Sequence, residues 1–227
     1  MSDAQLQPLI PYENMLRAGA HFGRKKTVFN PAMKKFVFTV RNGVCIIDLL
    51  KTQTELQKAL DHLKGVKEKN GLILFVALTK QSLEGIKELA ESLGMPYVLE
   101  RWLGGTLTNF KELNGRVKKM EEMEKQKAEG GLDKYTKKER TVFNKALEKM
   151  QKRFNGLRKL VRLPDVVFVS SLKEGALPVR EAKRMGVKVV AICNTDANPD
   201  NVDFAIPAND KSKKSVDLII ELLKNNL

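Results

Sequence analysis

The sequence predicts an α/β protein built on a parallel sheet, interrupted by one inserted antiparallel helical hairpin. Three observations carry that prediction. Short runs of consecutive apolar residues, as in strands buried on both faces, alternate with stretches where leucine or isoleucine recurs every three or four positions. Glycines punctuate several of the joins. From 107 to about 161 the strand pattern stops and two apolar seams of coiled-coil spacing replace it.

The apolar runs place strands at 36–40, 44–47, 72–77, 97–99, 166–169, 187–192 and 204–206. Arg41-Asn42-Gly43, between the first two, is a hairpin turn expected at the edge of the sheet. Helices are expected over 51–68, with Leu56, Leu60 and Leu63 on one face, and over 82–93, with Leu83, Ile86, Leu89 and Leu93 on one face. Two more follow at 174–185 and 215–223. Gly71, Gly94 and Gly186 stand where C-terminal caps fall.

Within the insertion, Phe143, Leu147, Met150, Phe154 and Leu157 repeat at heptad spacing. Leu107, Phe110, Leu113, Val117 and Met120 supply the facing seam. Glu129-Gly130-Gly131-Leu132-Asp133 separates the two, and Thr136 with Glu139 forms a capping box that opens the second helix. The expected organisation is a discontinuous α/β domain, 1–106 and 162–227, bearing a protruding hairpin at 107–161.

Charge follows the same division. The chain carries 41 Lys and Arg against 27 Asp and Glu, a formal +14. Between Lys111 and Arg162 there are 17 basic and 8 acidic residues, so most of the surplus lies in the hairpin. Such a field draws in phosphates and makes nucleic acid the leading partner. Arg24-Lys25-Lys26 follows His21-Phe22-Gly23, and Lys34-Lys35 follows Asn30-Pro31. Basic clusters beside an aromatic residue and a glycine suit backbone phosphates and an unstacked base. Arg24, Lys25, Lys26, Lys34, Lys35 and Arg101 are the candidate RNA-binding residues. Arg101 has the alternative of pairing with an acid inside the domain, and Trp102 suits core or hinge packing better than base stacking.

Catalysis finds little support. No strand is followed by Gly-x-Gly-x-x-Gly, and no Gly-x4-Gly-Lys-Ser/Thr loop occurs. His21 and His62 are the two histidines; His62 is expected on a helix surface, and neither has metal-ligand partners at suitable spacing. No catalytic residue, cofactor or metal is expected. One rival stands: Ser170-Ser171-Leu172-Lys173-Glu174-Gly175 follows a strand and opens a helix, as in sugar-phosphate-binding enzymes or sensors. A plain serine N-cap accounts for the same residues. Cys45 and Cys193, flanked by aliphatic residues, suit buried free thiols in a reducing compartment. The N-terminus has neither signal-peptide nor transit-peptide character, and no apolar run is long enough for a membrane span. A cytosolic protein is expected.

Several segments together carry a family resemblance. They are Ala18-Gly19-Ala20-His21-Phe22-Gly23, Asn30-Pro31, Arg41-Asn42-Gly43 leading into Ile46-Ile47-Asp48-Leu49, Lys51-Thr52, Thr79-Lys80, the string Arg101-Trp102-Leu103-Gly104-Gly105-Thr106-Leu107-Thr108-Asn109-Phe110, Leu163-Pro164-Asp165, Glu181-Ala182, Asn198-Pro199-Asp200, Val202-Asp203 and Ile206-Pro207-Ala208-Asn209-Asp210. Over nearly all of 10–223 the chain resembles the bacterial members of the universal S-two family of small-ribosomal-subunit proteins. The resemblance implies a three-layer α/β sandwich, flavodoxin- or Rossmann-like, with a protruding coiled-coil hairpin. It also implies a cytoplasmic, ribosome-bound protein on the solvent side between the head and body of the small subunit. There it would touch ribosomal RNA and neighbouring ribosomal proteins, including the large one that captures messenger RNA, which it helps to anchor. The chain departs from the family pattern at Arg24 and Cys45, where many members have histidine, at Phe29, where many have tryptophan, and at Ser170-Ser171, which replace a usual aspartate.

Overall fold

The computed structural model describes residues 8–130 and 136–227. Five strands, β4 (Ile73–Ala77), β5 (Tyr97–Leu99), β6 (Val166–Val169), β7 (Lys188–Cys193) and β8 (Phe204–Pro207), form an all-parallel sheet in the order β5-β4-β6-β7-β8. That is the doubly wound order of flavodoxin-like folds. Side chains leave each strand alternately. Leu74 and Val76 enter one apolar cluster, while Ile73, Phe75 and Ala77 enter the other. Each cluster is covered by helices, which gives a three-layer sandwich.

On one face lie α1 (Tyr12–Ala18), α2 (Leu49–Glu68), α3 (Leu83–Leu93) and α7 (Lys213–Asn226). The leucine spacing within α2 explains its docking: Leu56, Leu60 and Leu63 are fully buried. On the other face lie α6 (Ala176–Arg184) and the helix pair α4 (Phe110–Ala128) and α5 (Lys137–Phe154). Gly94 ends α3 in the left-handed conformation, as expected. Gly71 is no cap: α2 ends at Glu68 with Lys69 as its C-cap, the left-handed residue is Asn70, and Gly71 is needed because a Cβ there would lie 2.7 Å from the Val66 carbonyl.

The hairpin at Arg41-Asn42-Gly43 forms with both turn residues at positive φ, 50° and 75°, as a type I′ turn requires. It does not border the parallel sheet. β2 (Val37–Arg41), β3 (Val44–Ile47) and β1 (Phe22–Lys25) make a separate antiparallel sheet in the order β1-β3-β2. Neither β1 nor α1 was legible in the sequence, because both are short and irregular in apolar spacing.

Thr136 caps α5 through the expected capping box with Glu139. Of the expected connection between the long helices, Gly131, Leu132 and Asp133 lie outside the described residues. The two helices touch, but out of step with a symmetric hairpin. Gln151 Nε2 and Arg158 Nη2 both donate to Glu124 Oε1 at 2.6 Å. A hairpin closing symmetrically would set Glu124 against the first turns of α5; here it meets residues near and beyond that helix's far end. The burial pattern gives the reason. Leu147, Phe154 and Leu157 are buried in one cluster with Leu107 and with Val98 and Trp102 of the body, whereas Phe143 is only half covered and Val142 is exposed. The body's apolar surface draws in the second half of α5.

Candidate nucleic-acid interface

In open α/β sheets, ligands bind beyond the carboxyl ends of the strands, where strand order reverses. In this chain the reversal falls between β4 and β6, and hydroxyls fill it. Ser82 Oγ lies 2.9 Å from Thr79 Oγ1 and 2.8 Å from Ser170 Oγ, and all three residues are buried. The Ser-Ser-Leu-Lys-Glu-Gly segment is likewise engaged internally. Ser171 Oγ donates to Asp210 Oδ2 at 2.6 Å, and Lys173 Nζ lies 2.8 Å from Asp196 Oδ2. Neither serine caps a helix. α6 begins only at Ala176, its N-cap is Gly175, and no side chain caps it. The hydroxyls proposed for a phosphosugar are spent on the core, and the N-cap expectation is also corrected.

A second group of charges fastens the small sheet onto the large one. Arg24 donates its backbone N–H to Thr195 Oγ1 at 2.7 Å, and its guanidinium lies 3.4 Å from Asp196 and 3.9 Å from Asp210. Asn194 Nδ2 donates to Asp210 Oδ1 at 2.9 Å. The Asp196 side chain is 3% exposed, so its charge requires the cations beside it. Arg24 is therefore turned inward. Lys35 is half turned: its ammonium sits 3.0 Å from Asp200, and both groups are exposed.

Lys25, Lys26, Lys34 and Arg101 are exposed, and among the described residues none of them forms an ion pair. The stretch from 24 to 35 thus combines anchoring residues with free cations. Helix-pair cations follow suit. Lys118, Lys119, Lys145, Lys149 and Lys152 are exposed, while Arg116 pairs with Glu112 on the same helix. A further basic cleft of about 410 Å³, lined by Lys173, Arg180 and Lys183 beside Asn198 and Asn201, was not singled out in the sequence.

The string around Trp102 is an internal device. Glu181, on α6 and 7% exposed, accepts four hydrogen bonds from it: from Trp102 Nε1 at 3.0 Å and Gly105 N at 2.9 Å on Oε1, and from Leu107 N at 3.1 Å and Thr108 N at 3.5 Å on Oε2. Burial works against the charge, yet the four donors outweigh it and hold the carboxyl below its usual range. In the sequence Glu181 counts only toward the family resemblance, although a signal for its role existed. It shares the buried face of α6 with Pro178, Val179 and Ala182, and an acid on an apolar face needs a partner.

His62 is not a surface residue. It is half-buried, its ring stacks on Phe204 with centroids 4.5 Å apart, and burial lowers its pKa. His21 is half-buried as well, its pKa also lowered by burial, and it borders an apolar groove of about 410 Å³ with Tyr12, Leu16, Phe38, Ile46 and Leu50. Phe38 and Leu50 are 75% and 65% exposed there. Among the described residues, no cluster of His, Cys, Asp and Glu could hold a metal ion. Both cysteines are buried and free. No described helix is long and apolar enough to cross a membrane.

The strand-end crevice is thus occupied by the chain's own hydroxyls, while the 24–35 segment and the helix pair carry exposed cations. Comparison with known proteins decides the family. Residues 15–227 match the model of ribosomal protein S2. The chain belongs to the ribosomal protein S2 family. It is 43% identical over 218 residues to the small ribosomal subunit protein uS2 of Fusobacterium nucleatum, covering 96% of this chain and 88% of that one. It is 41% identical over 211 residues to the proteins of the same name from Thermus thermophilus and Porphyromonas gingivalis. Those alignments cover 93% of this chain, and 82% and 75% of the relatives. Ribosomal S2 proteins are structural and non-enzymatic, which agrees with a switch point closed by Thr79, Ser82 and Ser170.

Proposed function

We propose that this chain is a structural constituent of the small ribosomal subunit in the cytoplasm, lying between head and body, where it binds the subunit's RNA. The body, 1–106 and 162–227, and the arm, 107–161, supply two sets of cations that neutralise phosphates. Lys25, Lys26, Lys34 and Arg101, with the exposed lysines of α4 and α5, make direct contacts. Arg24 acts indirectly, by holding the small sheet in place, and Lys35 contributes once released from Asp200. The observation that carries this reading is that free cations on the 24–35 segment and on the helix pair belong to a ribosomal S2 chain. The apolar groove bounded by Tyr12, Leu16, Phe38 and Leu50 supports the second part of the role, anchoring the neighbouring protein that captures messenger RNA. An exposed apolar surface of this kind marks a protein contact.

The test is binding of the purified full chain to small-subunit RNA across a salt series. Each phosphate contact in duplex regions adds about 0.9 to the slope of log affinity against log salt. A steep slope is expected for the wild type, and a salt-insensitive association would defeat the proposal.

A further inference from the structure

We infer that Glu181 is the positioning residue that fixes the direction of the helix pair on the sheet body. The polypeptide passes from β5 to α4 through residues 100–109, and the middle of that passage contains Gly104 and Gly105. Gly105 sits at φ +90°, and Glu100 just upstream at φ +61°, so the backbone follows a path that ordinary residues resist. Left to itself such a loop samples many conformations. One carboxylate selects among them, because its four donors span 102 to 108 and come from both sides of the glycine pair. The last two donors lie directly before the first turn of α4, so the orientation of that helix is set by Oε2.

The body end of the clamp is equally firm. Glu181 belongs to α6, where Val179 and Ala182 pack into the cluster that also holds Val167, Val169 and Val189 of the sheet. A carboxylate suits this task because each of its oxygens accepts two bonds, whereas an amide offers one accepting oxygen. Chemistry thus distinguishes positioning from mere packing. Glu181→Gln keeps the shape but sets an NH2 against one pair of donors. The pair at Leu107 and Thr108, whose bonds are longer, is the one expected to lose its acceptor.

The consequence for RNA binding rests on the function proposed above; the clamp itself does not. Two sets of readouts keep them apart, both on the full chain. The first tests the clamp. Spin labels are attached at Lys87→Cys and Lys119→Cys, both exposed positions, with the native thiols buried. In the Glu181→Gln background the distance distribution between them should broaden. Amide exchange at Leu107 and Thr108 should rise about tenfold or more while Gly105 stays protected, as loss of a charge-assisted bond implies. Emission from Trp102, the single tryptophan, should change, because its indole partner has lost its charge. An unchanged distance distribution would overturn the inference. So would a uniform rise in exchange over the whole chain, which would mark Glu181 as a general stability residue. Should Glu181→Ala fail to fold, the isosteric Gln variant still decides. The second set is RNA affinity: a broadened distribution with lowered affinity supports the arm as an RNA contact, and a broadened distribution with unchanged affinity sustains the clamp while removing the arm from the RNA-binding surface.

Discussion

At Gly23 the backbone of β1 runs so close to Thr195 that a Cβ would lie 2.6 Å from Thr195 Cγ2 and 2.8 Å from the Cys45 carbonyl. The same atoms make the junction between the two sheets, since Arg24 N donates to Thr195 and Asn30 N donates to the Thr195 carbonyl at 2.9 Å. Gly23→Ala should therefore destabilise the chain by about 1–3 kcal/mol, the cost of overpacking. Gly156→Ala should do so at least as strongly, with its Cβ 2.3 Å from the Tyr97 carbonyl and 2.5 Å from the ring. Gly65 stands in contrast. It lies inside α2 with nothing within 4 Å of a Cβ, so Gly65→Ala should stabilise by up to about 1 kcal/mol. Urea midpoints with unchanged slopes would check all three. A stabilised Gly23→Ala variant would refute this account of the sheet junction. In the sequence Gly23 stands with His21-Phe22 beside a basic cluster suited to phosphates and an unstacked base; in the structure its backbone packs against the chain's own Thr195.

Among the elements, α2, α3, α5 and the buried parallel strands were legible, because each repeats one periodicity long enough to be read. The strand limits differ from expectation by a residue or so, as at β7, which begins at Lys188 and runs to Cys193. What escaped was long-range arrangement. Nothing local says that β1 leaves residues 22–25 to pair with β3, or that Glu124 will face Arg158 across the helix pair. Seam spacing gives helices that pack but leaves their mutual offset open, and the offset is fixed by the body surface that α5 meets. The Glu124 contact can be measured. Its carboxyl lies below the ordinary range, through the hydrogen bond from Arg158 and then that from Gln151. Because the two charged side chains are 32% and 25% exposed, solvent screens them and the pair is a modest one. A double-mutant cycle of Glu124→Ala and Arg158→Ala should give a coupling of about 0.5–1 kcal/mol. A coupling of zero would mean that the offset register is held by the apolar seam alone.

Over the whole molecule, a net +14 says little until paired cations are separated from free ones. Six cations stand out in the sequence; the chain turns one inward, lends one to a surface aspartate and leaves four exposed. The inward one is Arg24, and sequence could not reveal this, because Asp196 and Asp210 lie more than 170 positions away along the chain. The two classes should respond differently to the same substitution. The triple variant Lys25→Ala, Lys26→Ala, Lys34→Ala should leave thermal stability nearly unchanged, as surface substitutions do. Its salt slope for RNA binding should drop by about 0.7–0.9 for each phosphate that is no longer neutralised. Arg24→Ala should show the reverse pattern. It leaves Asp196 with Lys173 alone, removes the cation beside Asp210, and frees the edge of the small sheet; the unfolding free energy should fall by about 1–3 kcal/mol. The salt slope of the folded Arg24→Ala fraction should stay within one phosphate's worth of wild type, since the guanidinium faces two aspartates and not solvent phosphate. If Arg24→Ala reduced the slope as much as the lysine triple variant while melting normally, the division between anchoring and RNA-facing cations would be wrong. In that case Arg24 would have to leave Asp196 and Asp210 when RNA arrives, and the junction between the two sheets would be part of the binding surface.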